Sequence, residues 1–303
     1  MVKRASTSGS GVNLKKLKKG GVSVHDKLDE LRDLAGNHLP FAFLELALLL
    51  FLCPGIPCAG ADCDAVEYFA GQMSWTRGMA DLGYQVLAFE HKLHITMDFL
   101  TERGFLMAYL MASRVKNNGI AWFAPVCSSW TYMSRGSTQR SLHNPLGDTA
   151  VSSVAQGNCM AARCCLLIMY FTAHKIEWVL EQPASTLFHL HPRFQRLLQL
   201  PFMKVYKVWL WMGLYGGSTP KGTVLFSSAA WVHELSARKM SKSERDKFAA
   251  SDALVTKYRD ATGQLRCTGN VRLKQSQAYP VEFGRCFAEL FQRQRHLGQV
   301  CVL

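Results

Sequence analysis

The chain has 303 residues, 49% of them apolar and 19% charged, which excludes a disordered or fibrous protein and allows a sizeable core without cross-links. Thirty-five Lys and Arg against 22 Asp and Glu leave a formal charge of +13, pointing to a polyanionic partner, nucleic acid ahead of a membrane surface. The ten Cys are scattered, form no disulfide framework and indicate a reducing compartment.

Residues 1–22 read as a disordered basic tail. Lys3, Arg4, Lys15, Lys16, Lys18 and Lys19 bring six positive charges to the first 25 residues, where there is no acid. Its Lys15-Lys16-Leu17-Lys18-Lys19 cluster reads as a nuclear address ahead of an organellar transit segment or a nucleic-acid arm. Residues 23–60 read as a helical lead-in, because Val24, Leu28, Leu31 and Ala35 recur at helical spacing and Pro40 opens a second run through Leu52. The apolar stretch Phe41 to Leu52 is too short to span a bilayer, so no membrane span is expected. Cys53, Cys58 and Cys63 contain no C-x-x-C pair, so no metal site is expected.

A regular alternation begins at Asp64 and makes 61–303 one domain. Strands are expected at Ala65–Phe69, Gln85–Glu90, Ile120–Ala124 and Ile176–Glu181. Helices are expected at Ser74–Leu82, Thr101–Lys116 and Asp148–His174. This pattern predicts an α/β fold with a mostly parallel sheet covered by helices on both faces. Val205–Leu210 and Thr223–Phe226 extend the sheet, 227–269 is a short insertion with a charged helix over 240–258, and Gln277–Arg295 is a closing helix.

Ligands of such sheets bind at the carboxyl ends of the strands. Four clusters fall there. The turn Glu67-Tyr68-Phe69-Ala70-Gly71-Gln72-Met73-Ser74 lets a ligand approach the backbone at Gly71. Glu90 ends the next strand, where an acid accepts hydrogen bonds from ribose hydroxyls, and Asp98 is within reach of the same ligand. No G-x-G-x-x-G precedes Glu90, so an adenosyl ligand without a pyrophosphate suits it better than NAD. The loop Ala124-Pro125-Val126-Cys127-Ser128-Ser129-Trp130 puts a thiol at the mouth of the sheet, and Ser134, Arg135 and Arg140 follow in a flexible stretch suited to phosphate. Glu181 follows a buried run directly, so it needs a partner or a ligand.

The order of these clusters resembles the C5-cytosine DNA methyltransferases. The strings Cys127-Ser128-Ser129-Trp130 and Glu181-Gln182-Pro183-Ala184-Ser185 are similar, more closely still, to strings shared by a set of algal proteins. Leu214-Tyr215-Gly216-Gly217 through Phe226 looks like the family's Tyr-Gly-x-x-Gln-x-Arg-x-Arg segment and its following strand, with Lys221 in place of one arginine. Tyr279-Pro280 sits where the family's last motif completes the cofactor pocket. The resemblance implies a Rossmann-like S-adenosylmethionine domain, with Phe69, Gly71, Glu90 and Asp98 on the cofactor. It implies that Cys127 attacks C6 of a flipped pyrimidine, with Glu181 on the ring nitrogen and Lys221 in the same catalytic set. The substrate it implies is DNA or RNA. A catalytically inactive protein of this fold that binds nucleic acid or a protein satisfies the same residues, as does a methyltransferase with another substrate and a structural Cys127.

Overall fold

The computed structural model describes residues 60–249, 255–263, 265–269, 273 and 276–300. The basic tail and all but the last residue of the helical lead-in lie outside the described residues.

The alternation expected from Asp64 forms. Strand β1 is Cys63–Tyr68, helix α1 Ser74–Asp81, β2 Val86–Phe89, α2 Glu102–Ser113 and β3 Val115–Phe123. Helix α3, Ser152–Ala173, then leads to β4, Glu177–Pro183, and α4, Pro192–Leu198, leads to β5, Tyr206–Trp211. Strand β6, Gly222–Ser227, closes the sheet in the order β2-β1-β3-β4-β6-β5. The first four strands are mutually parallel, and β6 runs antiparallel to both β4 and β5. The fold is therefore α/β and Rossmann-like, with a mixed sheet.

Side-chain alternation along the strands sends residues to two cores. Val66 and Tyr68 of β1 meet α2 and α3 on one face, including Phe105, Ala108, Cys164 and Phe171. Ala65, Trp122 of β3 and Val179 of β4 meet Trp75 and Met79 of α1 on the other, where the closing helix α6, Val281–Val300, adds Phe283, Phe287 and Phe291. By length and apolar composition α3 is able to cross a membrane, yet 78% of its most apolar window is buried. It is the central helix of one face, hydrophobic all round because it is covered all round.

Helices α1 and α6 cross at two glycines. A Cβ on Gly78 would lie 2.2 Å from the Gly284 carbonyl carbon, and one on Gly284 would lie 2.4 Å from the Ser74 carbonyl oxygen. These are backbone atoms, so the helices must separate to admit a methyl group. Gly284→Ala is expected to cost about 1–3 kcal/mol of stability by overpacking. A urea titration reads it directly, and an unchanged midpoint would contradict the close crossing.

Several elements differ from expectation, and β3 begins at Val115, inside the stretch expected as helix. The charged helix is shorter: α5 is Lys242–Ala249, and Val255–Arg259 is strand β7, paired antiparallel with β8, Leu265–Gly269. Val255-Thr256-Lys257-Tyr258-Arg259 mixes β-branched and aromatic residues with charges, and Gly263 at φ +77° supplies the reversal before β8. The closing helix starts at Val281 rather than Gln277, because Pro280 disfavours helical backbone at the residue before it.

Candidate functional site at the carboxyl edge of the sheet

The chain leaves β1 for β2 on one side and returns to β3 on the other, so the strand order reverses between β1 and β3. The two connecting helices lie on opposite faces, which opens a crevice at the carboxyl ends of these strands. The turn after β1 and the Cys127 loop after β3 flank it.

The turn after β1 is tightly wound. Phe69, Gly71 and Met73 all have left-handed backbone, at φ 63°, 53° and 56°. For Phe69 this is uncommon, and its ring is held edge-on against Phe99 with centroids 4.8 Å apart. The Gly71 amide donates to Glu90 Oε2 at 3.0 Å, and the Lys92 amide donates to Oε1 at 3.2 Å. Glu90 thus ties the ends of β1 and β2 together with lone pairs to spare. Asp98 lies farther along, with Oδ1 accepting from the Leu100 amide at 2.9 Å.

Glu67, inside β1, is fully buried. Its Oε2 accepts from the Thr76 amide at 3.0 Å and from the Thr76 hydroxyl at 2.5 Å, while Oε1 has no hydrogen-bond partner. Burial pushes its carboxyl up to about 7, with Glu90 adding to the shift and the Thr76 bonds opposing it.

The second half of the site is built across β4, β6 and α6. Glu181 projects from β4 and is 5% exposed. The Tyr279 hydroxyl, at the entrance to α6, donates to Oε2 at 3.0 Å. The Trp122 ring N–H reaches the Tyr279 oxygen at 3.3 Å, fixing the phenol from below. Lys221, just before β6, places Nζ 3.4 Å from Glu181 Oε1 in an ion pair, with no hydrogen bond made to that oxygen. Lys221 holds a strained backbone at φ +24°.

Cys127 is half-buried, within electrostatic range of this pair. Burial raises its thiol above the ordinary range, Glu181 raises it further, and Lys221 pulls it down. The loop that carries it is clamped from both sides. Gln182, fully buried on β4, donates to the Pro125 carbonyl at 2.9 Å. The Leu187 amide donates to the Trp130 carbonyl at 2.8 Å. Arg140 lies 3.4 Å over the Trp130 ring and donates to Ser129, Asn158, Val154 and Pro145 oxygens. At 1% exposure Arg140 serves the loop and not a phosphate, a correction to the sequence expectation. The segment after Cys127 is also structured rather than flexible, with a helical turn at Arg135–Thr138.

The expected residues therefore fall into two groups. Glu181 and Lys221 form a pair that acts electrostatically on Cys127. Phe69, Gly71, Glu90 and Asp98 follow β1 and β2 on the other side of the crevice. Burial, then Glu181 and Glu67, raise the Tyr279 hydroxyl, and Glu90 adds to the rise that burial causes at Glu67. Tyr279 was legible only as part of a motif, and its bond to Glu181 spans 98 positions of sequence. Cavities of about 400 Å³ along α6 and about 370 Å³ beside Lys207 and Phe226 lie away from both groups. Comparison with known proteins finds no family whose model matches the chain and no curated protein that matches it.

Proposed function

We propose that the protein is an S-adenosylmethionine-dependent methyltransferase acting at C5 of cytosine in DNA or RNA. The observation that carries this reading is Glu181, a nearly buried carboxylate held between Tyr279 and Lys221 within electrostatic range of the Cys127 thiol. Cytosine C5 is a poor nucleophile until a thiolate adds at C6. That requires a sulfur on one side of the ring and an acid at the ring nitrogen, the two groups this cluster supplies.

The residues after β1 and β2 suit an adenosyl group. Glu90 has acceptor capacity for a pair of hydroxyls, and a Cβ on Gly71 would meet nothing nearer than the Phe69 carbonyl at 3.9 Å. Phe69, Gly71, Glu90 and Asp98 would hold it. When bound, S-adenosylmethionine supplies an electrophilic methyl group and leaves as a thioether. Cys127 Sγ gives its electron pair to C6 while the thiol proton passes to the ring nitrogen, where Glu181 accepts from the new N–H. Lys221 keeps Glu181 paired, and loss of the C5 proton to water re-forms the C5–C6 double bond as the sulfur departs with the proton from the ring nitrogen.

A catalytically silent relative is the second reading, favoured by the raised thiol of Cys127 in the protein alone. Thermal unfolding with S-adenosylhomocysteine tests the cofactor half of the proposal. At 100 times its dissociation constant the ligand stabilises by about 2.7 kcal/mol, and Glu90→Ala is expected to remove most of the shift. No shift with the unaltered protein would sink the methyltransferase reading.

A further inference from the structure

Beyond the Cys127 cluster, the structure presents exposed aromatic rings next to cations on both sides of one short segment, Pro183 to Thr186. On one side Tyr132 is 57% exposed, with the Arg135 guanidinium 3.4 Å over its ring, and its amide donates to the Ser185 carbonyl at 3.2 Å. On the other side Trp209 is 43% exposed and packs edge-on against Trp211, with centroids 4.5 Å apart and Arg245 5.6 Å over the Trp211 ring. Both tryptophans crowd Gly222. A Cβ there would lie 3.2 Å from Trp209, 3.5 Å from Trp211 and 3.2 Å from the Ala184 side chain. The segment between the two platforms begins two residues after Glu181.

We propose that these platforms stack unpaired bases of a single-stranded nucleic acid that runs across the site. The proposal rests on the base-modifying reading for the base that enters beside Cys127, and it commits to a strand rather than a duplex. Ring faces beside cations match a chain of π-faces joined by anionic phosphates, and bases in a duplex have those faces already covered. The charge agrees. Residues 124–147 contain no acid, and 238–247 carry five basic residues against two acidic ones.

The test is fluorescence anisotropy on the full chain without cofactor, at fixed salt, with one short labelled oligodeoxynucleotide. It is presented as a single strand, as its duplex and as an abasic strand of equal length. The single strand is expected to bind more tightly than either of the others. Trp209→Ala and Tyr132→Ala should each weaken single-strand binding by about fivefold to a hundredfold. Abasic binding should be unchanged, and Trp209→Phe should stay near the unaltered protein. Equal affinity for ordinary and abasic strands, tighter duplex binding, or unaltered binding by both alanine variants would overturn the proposal. The assay uses no cofactor and no turnover, so a failure here leaves the S-adenosylhomocysteine shift to decide the methyltransferase reading separately.

Discussion

Glu181→Gln is expected to slow the proposed methyl transfer to cytosine by about a hundredfold to a thousandfold while leaving the S-adenosylhomocysteine shift intact. The substitution keeps shape and removes charge. Tyr279 can still donate to an amide oxygen, but Lys221 Nζ, now 3.4 Å from a carboxylate oxygen, loses its counter-charge in a partly buried position. The same change has a second readout that needs no substrate. Glu181 raises the Cys127 thiol and Lys221 lowers it. Glu181→Gln should therefore lower the thiol pKa and speed alkylation of Cys127 at neutral pH, and Lys221→Met should do the reverse. Matching alkylation profiles in all three proteins would show that neither charge acts on the sulfur.

Glu67→Gln has the largest expected effect on stability. The carboxyl titrates near 4.5 in an unfolded chain and near 7 in the buried position. Its folded pKa is raised, so its contribution is fully present below about 4.5 and is lost as pH climbs to about 7. The unfolded chain releases the proton first. The loss is about 3 kcal/mol and stays constant at higher pH. An amide keeps an acceptor for Thr76 and has no proton to lose. Urea titrations at pH 4.5, 6 and 8 should show the variant gaining on the unaltered protein with rising pH, by about 3 kcal/mol at pH 8. Parallel stability curves would mean that Glu67 ionises normally.

Much of this architecture was legible from patterning, for reasons visible in particular residues. Val66, Tyr68, Trp122 and Val179 sit in short apolar strands separated by helical periods, which fixes a parallel α/β sheet locally. Glu181 was legible because an acid directly after Trp178-Val179-Leu180 cannot be left unpaired. Its partner Tyr279 was not, because only the path of α6 across the sheet brings residue 279 to β4. Arg140 reads from sequence as a phosphate contact in a flexible stretch, and its burial under Trp130 depends on packing against α3 that no local period announces. The strand Val255–Arg259 was hidden by its charges, which suggested a helix, and its pairing with Leu265–Gly269 is what makes the hairpin.

The most direct test of base addition at Cys127 is peptide mapping after incubation with a 5-fluorocytosine oligonucleotide and S-adenosylmethionine, since fluorine at C5 blocks the proton loss that releases the sulfur. The account predicts the strand's mass on the peptide containing Cys127, and none in Cys127→Ala. No adduct, or one that survives Cys127→Ala, would contradict it.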